Sequence, residues 1–396
     1  MTTRVPLLAC IAVLSFFAGV TGVRLAYTLT YILVTLLVIA YIWSWTVTRR
    51  LMIGRAPPQG HFAVGEAFSD RLLVRNGSPL PIPYCELGDA GAVPGHHPGR
   101  ACALAAGETL TWTATGAFTH RGLHRFGPLQ ARLGDPFGLF PRVVRGGQTG
   151  EVLVHPAIHP IEALPGSDGR AGDTRRGRGR ESAPDASSIR EHDPGDGLNR
   201  IHWPSSARTG RLMSRTFESP DSGDLLVILD LQSGVHAGVP PESSLEYSVS
   251  LAASLCHAAL RRGQAVGLVA SDAAGTAFPA GRGEAQRLRL LEYLAIARDD
   301  GNTPLADAVA RHGPSLKGRG GLVVVTSRCD ASWVEALLDV GARGRRHLCV
   351  FVDATSFGAP GPALRLTAAW RLVLDWWVVR RGDVIETTRA ARAAGL

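Results

Sequence analysis

The hydrophobic pattern divides the chain into four stretches. Two charge-free apolar runs, 7–23 and 25–47, open it and are parted by Arg24. At ~1.5 Å per helical residue the second run reaches roughly 35 Å, enough for a ~30 Å hydrocarbon core, and the first about 25 Å. Tyr27, Tyr31, Tyr41, Trp43 and Trp45 stand toward the ends of the second run, where interfacial aromatics sit. The pattern predicts two N-terminal transmembrane helices forming a hairpin anchor over residues 1–55. A signal peptide followed by one span is the competing reading, but no convincing small-residue cleavage site precedes Arg24. Arg49, Arg50 and Arg55 follow the second run, and positive-inside counting places both ends in the cytoplasm. The expectation is a multi-pass cell-membrane protein with cytoplasmic soluble domains.

Residues 56–164 read as β. The segment 70–75 is followed by the turn Asn76-Gly77-Ser78-Pro79, 109–113 alternates with period two, and 150–155 forms a further strand. No helical period persists, which predicts a β-sandwich-like domain of about one hundred residues. Apolar residues then nearly vanish, and 165–223 reads as a linker. Its first part carries Arg170, Arg175, Arg176, Arg178 and Arg180 among glycines, diluted by Asp168, Asp173, Glu181 and Asp185. From Asp224 the pattern turns to α/β. Continuous apolar strands at 225–229, 265–270, 321–326 and 347–352 alternate with helical stretches at 243–262, 284–298 and 332–342. Such alternation implies a mainly parallel sheet covered on both faces, with an edge strand near 376–379.

Composition changes this picture little. The 396 residues are 45% hydrophobic, and the net charge of +8 is almost wholly arginine, Lys317 being the one lysine. A basic balance permits contact with anionic lipid or nucleic acid. The arginine-rich linker has no interleaved aromatic residue for base stacking, so no nucleic-acid partner is expected. Cys10, Cys85, Cys102, Cys256, Cys329 and Cys349 are scattered without metal-ligand spacing, as free thiols in a reducing compartment would be.

Three stretches carry a resemblance. The first is Arg121-Gly122-Leu123-His124-Arg125-Phe126-Gly127-Pro128, with Gly134-Asp135-Pro136-Phe137-Gly138-Leu139-Phe140 after it. The second contains Arg190, Asp193-Pro194-Gly195-Asp196, Arg200-Ile201-His202-Trp203, Ala207-Arg208-Thr209-Gly210-Arg211-Leu212 and Phe217-Glu218. The third is the apolar strand ending at Asp230. Together they resemble the bacterial family catalogued as domain of unknown function fifty-eight. The resemblance implies a transmembrane pair, a β-rich insert, a von Willebrand factor type A-like C-terminal domain over 224–396, and a MoxR-type AAA+ ATPase as partner. It implies no enzymatic activity.

In the second stretch, Asp193-Pro194-Gly195-Asp196 has turn chemistry, with proline presetting φ and glycine free to take positive φ. Arg190, Arg200, Arg208, Arg211 and Arg215 face Asp193, Asp196 and Glu218 in composition, which suits a bidentate ionic network. With His202 and Trp203, this motif either packs the linker or binds a partner, since arginine and tryptophan also dominate interface hot spots. No nucleophile with a spaced orienting acid accompanies His192 or His202, so no catalytic residue is expected.

Type A domains often hold a divalent cation through Asp-x-Ser-x-Ser, a distant Thr and a distant Asp. Here Asp230-Leu231-Gln232-Ser233-Gly234 keeps the Asp but not the serines, Thr303 suits the Thr element, and Thr326-Ser327-Arg328 stands where the second Asp is expected. Hard cations need oxygen ligands, and Arg328 would repel one. Asp230 and Thr303 are therefore a degenerate metal motif, with Mg²⁺ the only candidate cofactor. The reading is a membrane-anchored scaffold or assembly factor. The alternatives are a metal-dependent membrane-associated enzyme, or nucleic-acid binding through the linker.

Overall fold

A computed structural model of the chain describes residues 4–89, 91, 93–161, 188–191, 203–216, 224–315, 320–328, 330, 332–341, 347–360, 374–383 and 385. Two compact units divide at His155 and Pro156. The sequence places that boundary after residue 164, but Ile158 and Ile161 pack on the core of the second unit.

The first unit opens with α1 (Arg4–Thr21) and α2 (Arg24–Arg50), joined through Gly22 at φ +68°. Glycine takes this left-handed conformation without the Cβ clash other residues meet. Among the described residues, α2 alone is long and apolar enough to cross a membrane, and α1 is a shorter apolar helix. The two spans expected from the sequence, the first already the shorter, thus resolve into one span-length helix and a shorter companion. No residue separates α2 from the first strand, β1 (Leu51–Ala56).

The remaining strands of this unit are β2 (Phe62–Ala63), β3 (Ala67–Asn76), β4 (Ile82–Asp89), β5 (Arg100–Leu104), β6 (Thr109–Ala117), β7 (Gly122–Phe126), β8 (Leu129–Leu133), β9 (Arg142–Gly146) and β10 (Gly150–His155). They form three sheets of order β1-β3-β6, β2-β10-β7 and β5-β4-β8-β9. Every pairing is antiparallel except β2 with β10. Along β3, buried and exposed residues alternate, as the two-residue period of a strand with one covered face requires. Its buried positions include a charge. Asp70 is fully buried and accepts from Arg55 Nη2 at 2.7 Å, while the same guanidinium reaches Asp89 at 2.8 Å and the Gly127 carbonyl at 2.6 Å. His96 Nε2 completes the cluster, 3.0 Å from Asp70. Burial alone would push the Arg55 pKa down, but hydrogen bonds to Asp89 and Asp70 more than offset it and raise it. Arg55 was expected as a membrane-flanking cation; it is a buried, paired one, and Arg49 and Arg50 are the cations that close α2.

The second unit contains β11 (Ser188–Glu191), α3 (Trp203–Thr209), β12 (Met213–Thr216), β13 (Leu225–Leu229), β14 (Gly238–Val239), β15 (Glu242–Ser243), α4 (Ser244–Arg261), β16 (Val266–Ala270), β17 (Ala277–Gly281), α5 (Gly283–Ile296), α6 (Leu305–His312), β18 (Gly321–Thr326), α7 (Ser332–Gly341), β19 (His347–Val352) and β20 (Asp375–Val379). Its main sheet has six strands in the order β17-β16-β13-β18-β19-β20. All neighbours are parallel except the edge strand β17. The central strands are buried at every position, which is why they read as unbroken apolar runs. α4 and α5 cover one face, and α6 and α7, with the fully buried Trp333, cover the other.

The Arg55 cluster yields the first prediction. Removing one partner of a buried ion pair leaves the other charge uncompensated, at a cost of about 3–5 kcal/mol. Asp70→Ala in the detergent-solubilised chain is expected to lose stability of that order in denaturant unfolding. An unchanged transition would show that the cluster does not hold the β-rich unit together.

Candidate functional site

The Arg/His/Trp motif is framed by a small ladder. β11 and β12 pair antiparallel, with Arg190 opposite Ser214, and α3 lies between them in the chain. Trp203 is the first residue of α3, and Arg208 sits exposed in its last turn. α3 stops at Thr209, and Gly210, whose φ is +69°, turns the chain out of it. Ser206 then accepts from the Met213 amide at 2.9 Å and fastens the helix to β12. Asp193, Asp196, Arg200 and His202 lie outside the described residues, as do the linker arginines 170–180, and Arg190 and Trp203 are placed by backbone alone. Within 165–223, read as a linker, the described residues thus hold two strands and a helix.

The richest polar cluster lies at the carboxyl ends of the central strands, where open α/β sheets present their crevice. Asp230 follows β13, Ser271 follows β16, and Thr326 ends β18. Asp230 is fully buried. Its Oδ1 accepts from Ser271 Oγ at 3.1 Å and from the Gln232 amide at 3.2 Å, and its Oδ2 accepts from Thr326 Oγ1 at 2.7 Å. Each hydroxyl is aimed by a backbone amide that it accepts from in turn, Leu231 N for Ser271 and Arg328 N for Thr326. The Arg328 guanidinium stands 3.6 Å from Asp230 Oδ2, donates to Gln232 Oε1, and reaches Asp330 at 2.8 Å. Partial burial would raise the Asp330 carboxyl, but the Ser332 hydroxyl and Arg328 together hold it below the usual range. At neutral pH Asp330 is therefore ionised, and what its pairing contributes to stability is lost only as pH falls through that lowered value.

The segments that carry Asp230 and Thr303 are joined through backbone. Gln232 and Gly301 form a parallel bridge, with Ser233 N bonded to Gly301 O at 2.9 Å and Gly301 N to Leu231 O at 3.0 Å. Position 301 admits only glycine, since a Cβ would lie 1.6 Å from the Ser271 carbonyl. Thr303 is half-buried in this loop and makes no hydrogen bond to Asp230. One carboxylate, two hydroxyls and a nearby guanidinium are a poor donor set for a hard dication. Among the described residues no group of three or more His, Cys, Asp or Glu could hold a metal ion.

Ser271, His236 and Ser244 were not singled out in the sequence; for Ser271, its place one residue beyond an apolar strand was the available signal. His236 Nδ1 lies 3.2 Å from Ser244 Oγ, and its Nε2 lies 2.9 Å from the Asp230 carbonyl. Ser244 is fully buried and already accepts from the Ala237 amide, so this serine is a structural tie and not a reachable nucleophile. Burial pushes the Cys256 thiol up to about 12 and the Cys349 thiol well above its ordinary value, which makes both inert core residues.

Thr326→Val tests the hold on Asp230. It leaves a buried carboxylate oxygen without its shortest hydrogen bond, a loss of about 1–3 kcal/mol. Denaturant unfolding of the full chain should move by that amount, and wild-type stability would show that the hydroxyl does not carry the site.

Residues 188–355 match the family described as "Protein of unknown function DUF58". The chain is also 27% identical over 203 residues to "Uncharacterized protein YeaD" of Bacillus subtilis (strain 168). That alignment takes in 50% of this chain and 48% of the relative, so the match spans about half the length of that curated protein. Among solved structures, a CARDB domain from Pyrococcus furiosus is similar at 16% identity, covering 26% of this chain and 91% of that one, with a TM-score of 0.20. A FixG-related protein from Vibrio parahaemolyticus is similar at 13% identity, covering 26% of this chain and 96% of that one, with a TM-score of 0.19. Likenesses this slight assign no fold. The match to the DUF58 family over residues 188–355 takes in the motif segment, Asp230 and the crevice around it.

Proposed function

We propose that this chain is a membrane-anchored, non-enzymatic scaffold whose C-terminal domain, von Willebrand factor type A-like, docks a cytoplasmic protein of the MoxR-type AAA+ class. The observation that carries the reading is the arginine in the crevice. Where a metal-dependent docking site offers a cation to a partner's carboxylate, this one offers Arg328, one-fifth exposed at its side chain and oriented by Gln232 and Asp330. A guanidinium has donors in a planar fork and suits a carboxylate without a metal. The sheet order, with its antiparallel edge strand β17 and helices on both faces, is consistent with a type A-like domain. α1 and α2 supply the anchor as a hairpin, with Arg49 and Arg50 on the cytoplasmic side.

Crosslinking in membranes, then purification and mass spectrometry, tests the docking. An AAA+ ATPase should be recovered with the wild-type chain and lost with Arg328→Glu, which reverses the charge offered to the partner. Equal recovery from both, or recovery from neither, overturns this reading. Calorimetric titration of the full chain with Mg²⁺ should show no binding heat that depends on Asp230; micromolar binding abolished by Asp230→Ala would favour the metal-dependent alternative. Reporter fusions after Arg55 and at Leu396 should both read cytoplasmic, and an extracytoplasmic signal at either site sinks the hairpin.

A further inference from the structure

The motif Gly134-Asp135-Pro136-Phe137-Gly138-Leu139-Phe140 has no part in the crevice. Its loop is rigid. Asp135 accepts from the amides of Phe137 at 3.0 Å, Leu139 at 3.1 Å and Phe140 at 2.6 Å, and Gly138 turns the chain at φ +68°. The loop is also fixed to α2. Ser44 Oγ donates to the Phe140 carbonyl at 2.7 Å, Arg142 Nε donates to Ser44 Oγ at 3.2 Å, and the Tyr41 ring meets Phe140 edge-on at 5.5 Å. The Arg142 guanidinium lies 5.5 Å from the centre of the Tyr41 ring.

These contacts set the loop's height along the helix. A hydrocarbon core of ~30 Å takes about 20 helical residues, so a span that begins at Leu25 leaves the core near Ser44. The helix itself changes there. Up to Ile42 it exposes Leu25, Leu29, Ile32, Val38, Ile39 and Ile42, whereas Trp43 and Val47 pack into the core of the β-rich unit. The Asp135 loop is therefore held where the span meets the headgroups. At that level it carries Phe137, 56% exposed, and Val143, 53% exposed beside Arg142. A rigid loop with an exposed phenylalanine next to an arginine suits the bilayer interface, where such apolar side chains bury into the headgroup and acyl boundary and arginine meets lipid phosphate.

We infer that the Asp135–Arg142 loop is a lipid-contact wedge: Phe137 enters the headgroup and acyl boundary beside α2, and Arg142 engages anionic lipid phosphate. The inference rests on the reading of α2 as a span. The full chain is reconstituted in vesicles of phosphatidylcholine and phosphatidylglycerol with the photocrosslinker benzoylphenylalanine at position 137 or at position 34, in the middle of α2. Mass spectrometry should find lipid adducts at both. An adduct at 34 without one at 137 overturns the wedge and leaves the span standing. The absence of an adduct at 34 overturns the span and the wedge with it.

Discussion

Asp230 has no contact with water, and a carboxylate cannot stay buried unless its charge and lone pairs are met. In this sheet the answer comes from its neighbours. Ser271 beyond β16 and Thr326 at the end of β18 both donate to the carboxylate that follows β13. One side chain thereby ties the carboxyl ends of the three central strands, and the same hydroxyls order the backbone at Leu231 and Arg328. The crevice is a consequence of this tie. The loop that bridges Gln232 to Gly301 lies directly beside it.

The β-rich unit obeys the same rule with the opposite charge. Arg55 is buried at the end of β1, and Asp70, Asp89 and the Gly127 carbonyl gather around it from β3, β4 and the turn before β8. The ring of Phe126 completes the enclosure 5.0 Å from the guanidinium carbon. Buried charges of this kind add little net stability over apolar packing, but each strongly penalises an arrangement that separates its partners. Separating the charged partners is thus penalised in both units, in the first alongside the alternation of buried and exposed side chains along β3.

Much of the second unit was legible in the sequence because its strands are buried on both faces. Leu225–Leu229, Gly321–Thr326 and His347–Val352 are apolar at nearly every position and begin and end where the pattern does. β17 was missed: its Ala-Phe-Pro-Ala-Gly composition is that of an edge strand that needs only one partner. α6 was missed because it is only eight residues long and directly follows a proline. Of the crevice, the sequence located Asp230, the Gly301 loop and the Thr326-Ser327-Arg328 stretch, but Ser271, forty-one residues beyond Asp230, is joined to it only by the sheet order. Arg55 misled for a related reason, since an arginine just past an apolar run looks the same whether it faces lipid headgroups or a buried aspartate.

The junction between α2 and β1 has no linker, and the last turns of the helix belong to the core of the β-rich unit through Val47 and Leu51. Trp43 Nε1 donates to the Pro81 carbonyl at 3.1 Å, and Gly77 N to the Arg50 carbonyl at 3.0 Å, so the helix cannot swivel against the strands. A helix whose apolar stretch exceeds the bilayer's thickness can accommodate the excess by tilting. For a domain welded to its helix, that tilt is also the domain's own inclination. In the proposed membrane-anchored arrangement, bilayer thickness, set by lipid composition, would then bear on the direction in which the β-rich unit faces.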